Sequence, residues 1–258
     1  MSLQNKVAVI TGGLSGIGRA IATRLAAGGS RVLLFDAAER SRDDDTPGDQ
    51  LAAELGSEAA FIRGDVGDPP DVNRMFESAA ATFGTVDILV NSAGVTAFKP
   101  LAELTVEDFD RVMRTNVRGS FLCARCAVAQ MRRQPGRGVI INVASNFAFV
   151  GATEAVAYCT SKGAIMSMTQ ALAVEVGPAG IRVNALCPGA TATEFNREHR
   201  GRPEIAAEWE RMTPLRLDGN RYLGAPSEIA DAAAFLADDA SRFMTGAALV
   251  IDGGWNAM

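Results

Sequence analysis

Apolar runs without polar alternation recur along the whole chain, separated by helix-length stretches, and this pattern constrains the fold more than anything else in the 258 residues. The runs are residues 7–11 (VAVIT), 32–35, 60–63, 88–91, 139–143, 183–186 and 248–251. Continuous Val, Ile and Leu suit strands covered on both faces, and such strands pair in parallel through crossover helices. Helical patterns fall where crossovers belong, over 16–27, 72–83, 106–116, 158–176 and 227–236. The alternation predicts an α/β fold with a doubly wound, mainly parallel seven-stranded sheet and helices on both faces. It is expected to form one domain over residues 1–258.

Composition removes several function classes. The chain is 48% hydrophobic and 21% charged, which is the balance of an ordered core. A net charge of −5 leaves no basic face for nucleic acid. No apolar run approaches the roughly 20 residues of a membrane span. The strand-like run from Val7 leaves no room for a signal peptide, so a cytoplasmic location is expected. Cys123 and Cys126 form a CxxC with no second pair to complete a zinc site, and their setting (FLCARCAVAQM) reads as a packed helix. His199 is the only histidine, which leaves no multi-histidine metal site; it is expected in an exposed loop. No metal is expected.

Two stretches interrupt the rhythm. Residues 37–50 (AAERSRDDDTPGDQ) are charged and turn-forming, and read as a solvated loop. Residues 191–223 carry Phe195, Trp209 and several arginines, with a helical piece near 204–212. An insertion at the carboxyl ends of parallel strands is placed to act as a substrate lid.

The chemistry begins with TGGLSGIG, residues 11–18, between the first strand and the first helix. Gly12, Gly16 and Gly18 permit a tight turn, and the helix N-terminus presents free N–H groups to a pyrophosphate. Asp36 ends the second strand, where a carboxylate accepts bonds from ribose hydroxyls and repels a 2′-phosphate. Ala37 and Ser15 are uncharged; Arg40 and Arg42 are the nearby cations that a folded-back loop can bring toward that phosphate.

Tyr158 and Lys162 (YCTSK) are spaced i, i+4 and share one helix face. A free phenol ionises near pH 10, so a base at neutral pH needs a shift of about 2–3 units, or about 3–4 kcal/mol. One cation at about 4 Å supplies that at an effective dielectric near 20. Ser145 follows the fifth strand, where its hydroxyl can bond a substrate oxygen. Asn116 lies between two helical stretches, where an amide can hold a water.

These residues, together with NSAG at 91–94, Pro188 and Gly189, and Asp252, Gly253 and Gly254, make the whole chain resemble the classical short-chain dehydrogenases/reductases. The resemblance implies a Rossmann fold and NAD-dependent hydride transfer to or from a secondary alcohol or hemiacetal. Tyr158 would be the general acid/base, Ser145 would polarise the substrate oxygen, Lys162 would lower the tyrosine and hold the nicotinamide ribose, and Asn116 would hold a relay water. Gly12, Ser15, Gly16, Ile17 and Gly18 would line the pyrophosphate, Asp36 the adenosine ribose, Asp65 and Val66 the adenine. Asn91 and Gly94 would meet the neighbouring sugar, and Thr191 after Pro188 and Gly189 the carboxamide. NSAG for the usual NNAG and NVAS for a double serine are mild departures that remove no catalytic group. A homotetramer is implied, with the 253–258 tail near a subunit contact.

Asn146, Phe147, Glu154, Phe98, Phe195 and Trp209 are the candidate substrate residues, and polar Asn146 and Glu154 tilt the expectation toward a sugar or polyol. The competing readings are a 3-oxoacyl carrier-protein reductase, which predicts a basic cofactor pocket, and a non-catalytic NAD-binding sensor.

Overall fold

The computed structural model describes residues 3–56, 58–134 and 138–258. Seven strands form one parallel sheet in the order β3-β2-β1-β4-β5-β6-β7: β1 (Val7–Thr11), β2 (Arg31–Asp36), β3 (Ala59–Arg63), β4 (Ile88–Asn91), β5 (Val139–Val143), β6 (Arg182–Pro188) and β7 (Ala248–Ile251). Every residue of β1, β4 and β5 is buried, as continuous apolar runs require. Helices α1 (Gly16–Ala27), α2 (Gly48–Leu55), α3 (Pro69–Phe83), α4 (Val106–Met113), α5 (Ser120–Met131), α6 (Val156–Val176), α7 (Arg197–Arg200), α8 (Pro203–Met212) and α9 (Pro226–Ala237) complete the described elements used below.

Two apolar clusters flank the sheet. Ile21, Leu25, Leu51, Ile229 and Ala233 bring α1, α2 and α9 onto one face. Met75, Phe76, Cys123, Ala127 and Val176 bring α3, α5 and α6 onto the other. Cys123 is thus a buried packing residue of α5. The strand order reverses between β1 and β4, and a cleft opens outside the carboxyl ends of strands at such a switch point. Thr11 ties that point together, its Oγ1 accepting the Ser92 and Ala93 N–H groups at 3.1 Å each.

Two expectations are corrected. The 37–50 stretch is not a solvated loop throughout. Arg40 bridges Pro47, Ser41 is 4% exposed, and Gly48 already begins α2, whose Leu51 and Ala52 are buried beneath the charged surface. The helix expected over 106–116 stops at Met113 and passes into a π-turn, Arg114–Gly119, before α5. The wide turn sets Asn116 where the regular ladder is broken, a common location for functional residues.

Candidate active site

A cleft of about 460 Å³ runs along the carboxyl ends of the strands. At one end lie Asp36, Ala37, Asp65 and Val66; in the middle the glycine turn; at the other Ser145, Asn146, Tyr158 and Lys162. The turn is built from close approaches that forbid side chains. A Cβ at Gly12, which has φ +66°, would sit 2.8 Å from the Ala93 Cα, and one at Gly18 would collide with the Gly12 carbonyl. Gly189 is likewise required, since a Cβ there would lie 2.6 Å from the Asp252 Cα.

Asp36 is aimed by two backbone donors, Leu14 N–H at 3.3 Å and Ala38 N–H at 3.1 Å. The folded-back strap reaches the turn itself. Ser15 Oγ accepts the Arg42 N–H at 2.8 Å, and the Asp43 carboxylate accepts the Gly16 N–H at 2.7 Å at the start of α1. A carboxylate there is favoured by the free N–H groups and the helix dipole. Asp65 is paired with Arg114 at 2.7 Å while still lining the cleft.

Three elements deliver the reacting end. Ser145 leaves β5 with its Oγ accepting the Phe147 N–H and donating to Asn146 Oδ1, both at 3.1 Å. Helix α6 brings Tyr158 and Lys162 on one face, the ammonium 5.4 Å from the phenol ring centre, and Lys162 Nζ donates to the Val143 carbonyl at 2.7 Å. Two buried hydrogen-bond chains fix α6 in register. One runs from Asn91 to Asn142 to Thr169, at 2.9 Å for each step. The other runs through Asn116, which accepts the Val95 N–H at 2.8 Å and donates to Ser161 Oγ at 3.0 Å. Slipping the helix leaves these buried amides unpaired, which costs about 1–3 kcal/mol each.

Burial pushes the Tyr158 phenol above its ordinary value, with the Ser145 hydrogen bond opposing. Burial also pulls Lys162 down to about 8. The ammonium lies over the ring face, and burial is the largest influence on both groups.

Most expected residues line the cleft: Gly12, Ser15, Gly16, Ile17, Gly18, Asp36, Asp65, Val66, Gly94, Ser145, Asn146, Phe147, Phe98, Tyr158, Lys162, Pro188, Gly189, Thr191, Phe195 and Trp209. Three do not. Asn91 and Asn116 stand behind the wall as the amides just described, and Glu154 is held by Arg202 at 2.7 Å. His199 is corrected from an exposed loop to α7, stacked on Phe98 with ring centres 4.1 Å apart.

Sequence reasoning missed Trp255. The Asp252 carboxylate accepts the Gly254 and Asn256 N–H groups at 2.9 Å each, across Gly253 at φ +63° and Gly254 at φ +88°, and this turn seats Trp255 in the cleft wall. The glycine pair was legible; the direction in which it turned the chain was not. Arg42, the cation that a folded-back loop was expected to bring near, does line the cleft, and beside it lies Asp43, which the charged strap had hidden. Among the described residues no group of three or more His, Cys, Asp or Glu is placed to hold a metal ion, and no helix is long and apolar enough to cross a membrane.

A family model described as Enoyl-(Acyl carrier protein) reductase matches residues 12–256. The D-threitol dehydrogenase of Mycolicibacterium smegmatis is 39% identical over 98% of this chain and 94% of its own. A short-chain type dehydrogenase/reductase from Mycobacterium marinum has the same fold, with TM-score 0.90 and 34% identity over 100% of this chain and 98% of that one. The 3-ketoacyl-(acyl-carrier-protein) reductase of Brucella melitensis, solved with NADH, has TM-score 0.86 and 35% identity over 98% of this chain and 99% of that one. The protein belongs to the short-chain dehydrogenase/reductase family of oxidoreductases.

Proposed function

We propose that the protein interconverts a secondary alcohol, or a hemiacetal, with the corresponding carbonyl compound using NAD, with Tyr158 as the acid/base. The observation that carries this reading is the convergence of Ser145, Tyr158 and Lys162 on one end of a cleft whose other end is the aimed carboxylate of Asp36. The residues fit a dinucleotide. Gly12 and Gly18 have no room for side chains, and one cleft is lined from Asp36 to Tyr158, with the Asp43 carboxylate on the Gly16 N–H as the group a pyrophosphate would displace. When bound, the nicotinamide supplies the hydride acceptor or donor.

The protein's own residues do the rest. Ser145, anchored by Phe147 and Asn146, orients the substrate oxygen. Tyr158 takes the hydroxyl proton in oxidation and returns it in reduction. Lys162 spends one N–H on Val143 and keeps the others for a ribose hydroxyl. Asn116 acts as a positioning residue, because both ends of its amide hold the Val95 segment and α6 together. The insertion over 191–223 closes the site: it begins at the Thr191–Gly224 bridge and lays Phe195 and Trp209 along the cleft. Similarity to a 3-ketoacyl-carrier-protein reductase solved with NADH supports 3-oxoacyl reduction as a second reading. Turnover of a short 3-oxoacyl thioester, set against simple ketones, separates the two.

Two outcomes are expected. Because burial favours the neutral phenol, oxidation should climb as pH rises above neutral, while reduction, which draws on the phenolic proton, should hold at neutral pH and then fall. Lys162 carries its charge only below about 8, so the oxidative deficit of Lys162→Ala should be greatest near pH 7 and narrow at higher pH. Identical wild-type and variant profiles would show that Lys162 does not tune Tyr158. Secondly, residues 191–223 should gain hydrogen-exchange protection when NAD and a turned-over alcohol are present. Equal protection with and without ligands would make the segment a static wall.

A further inference from the structure

We propose that the substrate is a secondary alcohol carried on a ring-bearing apolar body, with Phe98, Phe147, Trp209 and Trp255 as its specificity-determining residues. This rests on the hydride-transfer reading above and names its substrate class.

Aromatic side chains enclose the reacting end. Tyr158 lies between Phe98 and Phe195, each 5.9 Å away between ring centres and tilted by 54° and 47°. The wall continues from Trp209 to Trp255 at 6.4 Å and from Trp255 to Phe147 at 5.8 Å, both edge-on. Burial holds His199 below its ordinary value, so the imidazole stacked on Phe98 is uncharged at neutral pH. Phe98, Phe147, Trp209 and Trp255 also line a second cavity of about 130 Å³ behind the cleft, together with Ile205 and Met212, and with Thr153, His199 and Glu208 as its polar members. The four rings therefore form a partition, and a body longer than a few carbons meets aromatic surface on both sides of it.

Polar capacity at this end is small. A polyol needs a donor or acceptor for each buried hydroxyl. Glu154 is held by Arg202, Glu194 pairs with Arg197 at 3.1 Å, and the Asn196 amide donates to the Thr191 carbonyl. The other carboxylates on the cleft, Asp36, Asp43 and Asp65, stand at the opposite end. Beside Ser145 and Tyr158 the buried polar atom without a partner is the Asn146 Nδ2, while Thr193 and Glu194 lie farther along the rim. Its two N–H groups serve acceptor oxygens and offer nothing to a hydroxyl proton. Ligand pockets built this way, with apolar walls and few polar groups, select for shape and apolar area.

The test measures NAD-linked kcat/KM for 1-phenylethanol and 1-(2-naphthyl)ethanol, for D-threitol and L-rhamnose, and for 2-butanol as a small common substrate. Ring-bearing alcohols should exceed the polyol and the sugar by at least about a hundredfold. Phe98→Ala and Trp209→Phe should lower kcat/KM for the naphthyl alcohol at least about tenfold more than for 2-butanol. Trp209 and Trp255 are the chain's two tryptophans, so 2-acetonaphthone binding should quench intrinsic fluorescence, which D-threitol should not do. Polyol or sugar turnover equal to that of the ring-bearing alcohols would overturn the substrate class and leave the hydride-transfer reading standing. Quenching by the ketone without turnover of any alcohol would support the apolar site and overturn the reaction. Absence of both quenching and ring preference would overturn the inference.

Discussion

Tyr158→Phe should lower kcat by at least about 10²-fold in both directions, the usual worth of a positioned acid/base. The substitution removes one hydroxyl and little else. The ring stays seated between Phe98 and Phe195, and Lys162 keeps its bond to Val143. Ser145 also keeps its anchors at Asn146 and Phe147. Cofactor affinity should therefore hold within about threefold, since no group at the glycine turn or at Asp36 has moved. Oxidation fails for want of an acceptor for the hydroxyl proton, and reduction for want of a donor to the nascent alkoxide. The measurement pairs steady-state turnover with an NADH titration of the variant. Near-normal turnover from a folded variant that binds NADH normally would remove Tyr158 from the mechanism.

The second large effect is cofactor choice. Wild-type protein should favour NAD over NADP by about a hundredfold in kcat/KM, equivalent to about 3 kcal/mol. Asp36 is already aimed by Leu14 and Ala38, so it meets a ribose diol without rearrangement. Each charge-assisted bond is worth about 1.5–3 kcal/mol, and a 2′-phosphate forfeits at least one while facing the carboxylate. Two arginines are close enough to matter. Arg40 is held by Asp45 at 2.9 Å, while Arg42 lines the cleft next to Asp43, whose carboxylate sits on the Gly16 N–H. Asp65 is neutralised by Arg114, which leaves Asp36 and Asp43 facing Arg42 on that side of the cleft. Replacing Asp36 with Ala and Ala37 with Arg should narrow or invert the preference. Equal use of both cofactors by the wild type would mean that Arg42 already neutralises Asp36.

The strands were legible because a strand covered on both faces leaves an unmistakable local mark. Six of the seven apolar runs fall within one residue of the observed strands at each end, and β6 extends to Pro188. Helix α2 was not legible, because three consecutive aspartates and a Pro-Gly pair mask the short apolar stripe of Leu51, Ala52 and Leu55. The π-turn at 114–119 has no periodicity of its own and shows only where α4 and α5 must both pack on the same sheet.

The sequence by itself determined the parallel sheet, the glycine turn, the carboxylate at the end of β2 and the Tyr158–Lys162 pair, because each depends on spacing within one element or across one turn. The tertiary structure alone decided which polar groups remain free for chemistry. Asn91 and Asn116 look like ligand-binding amides in sequence; the Asn91 Nδ2 goes to Asn142 and leaves its Oδ1 without a partner, while the Asn116 amide braces the Val95 segment against α6. Glu154 looks like a hydroxyl binder and is consumed by Arg202, 48 residues along the chain. Trp255 joins Trp209 only because a turn after β7 sends the tail back under the insertion. Hydrogen-bonding capacity is shared out by long-range contacts, and no local pattern records the outcome.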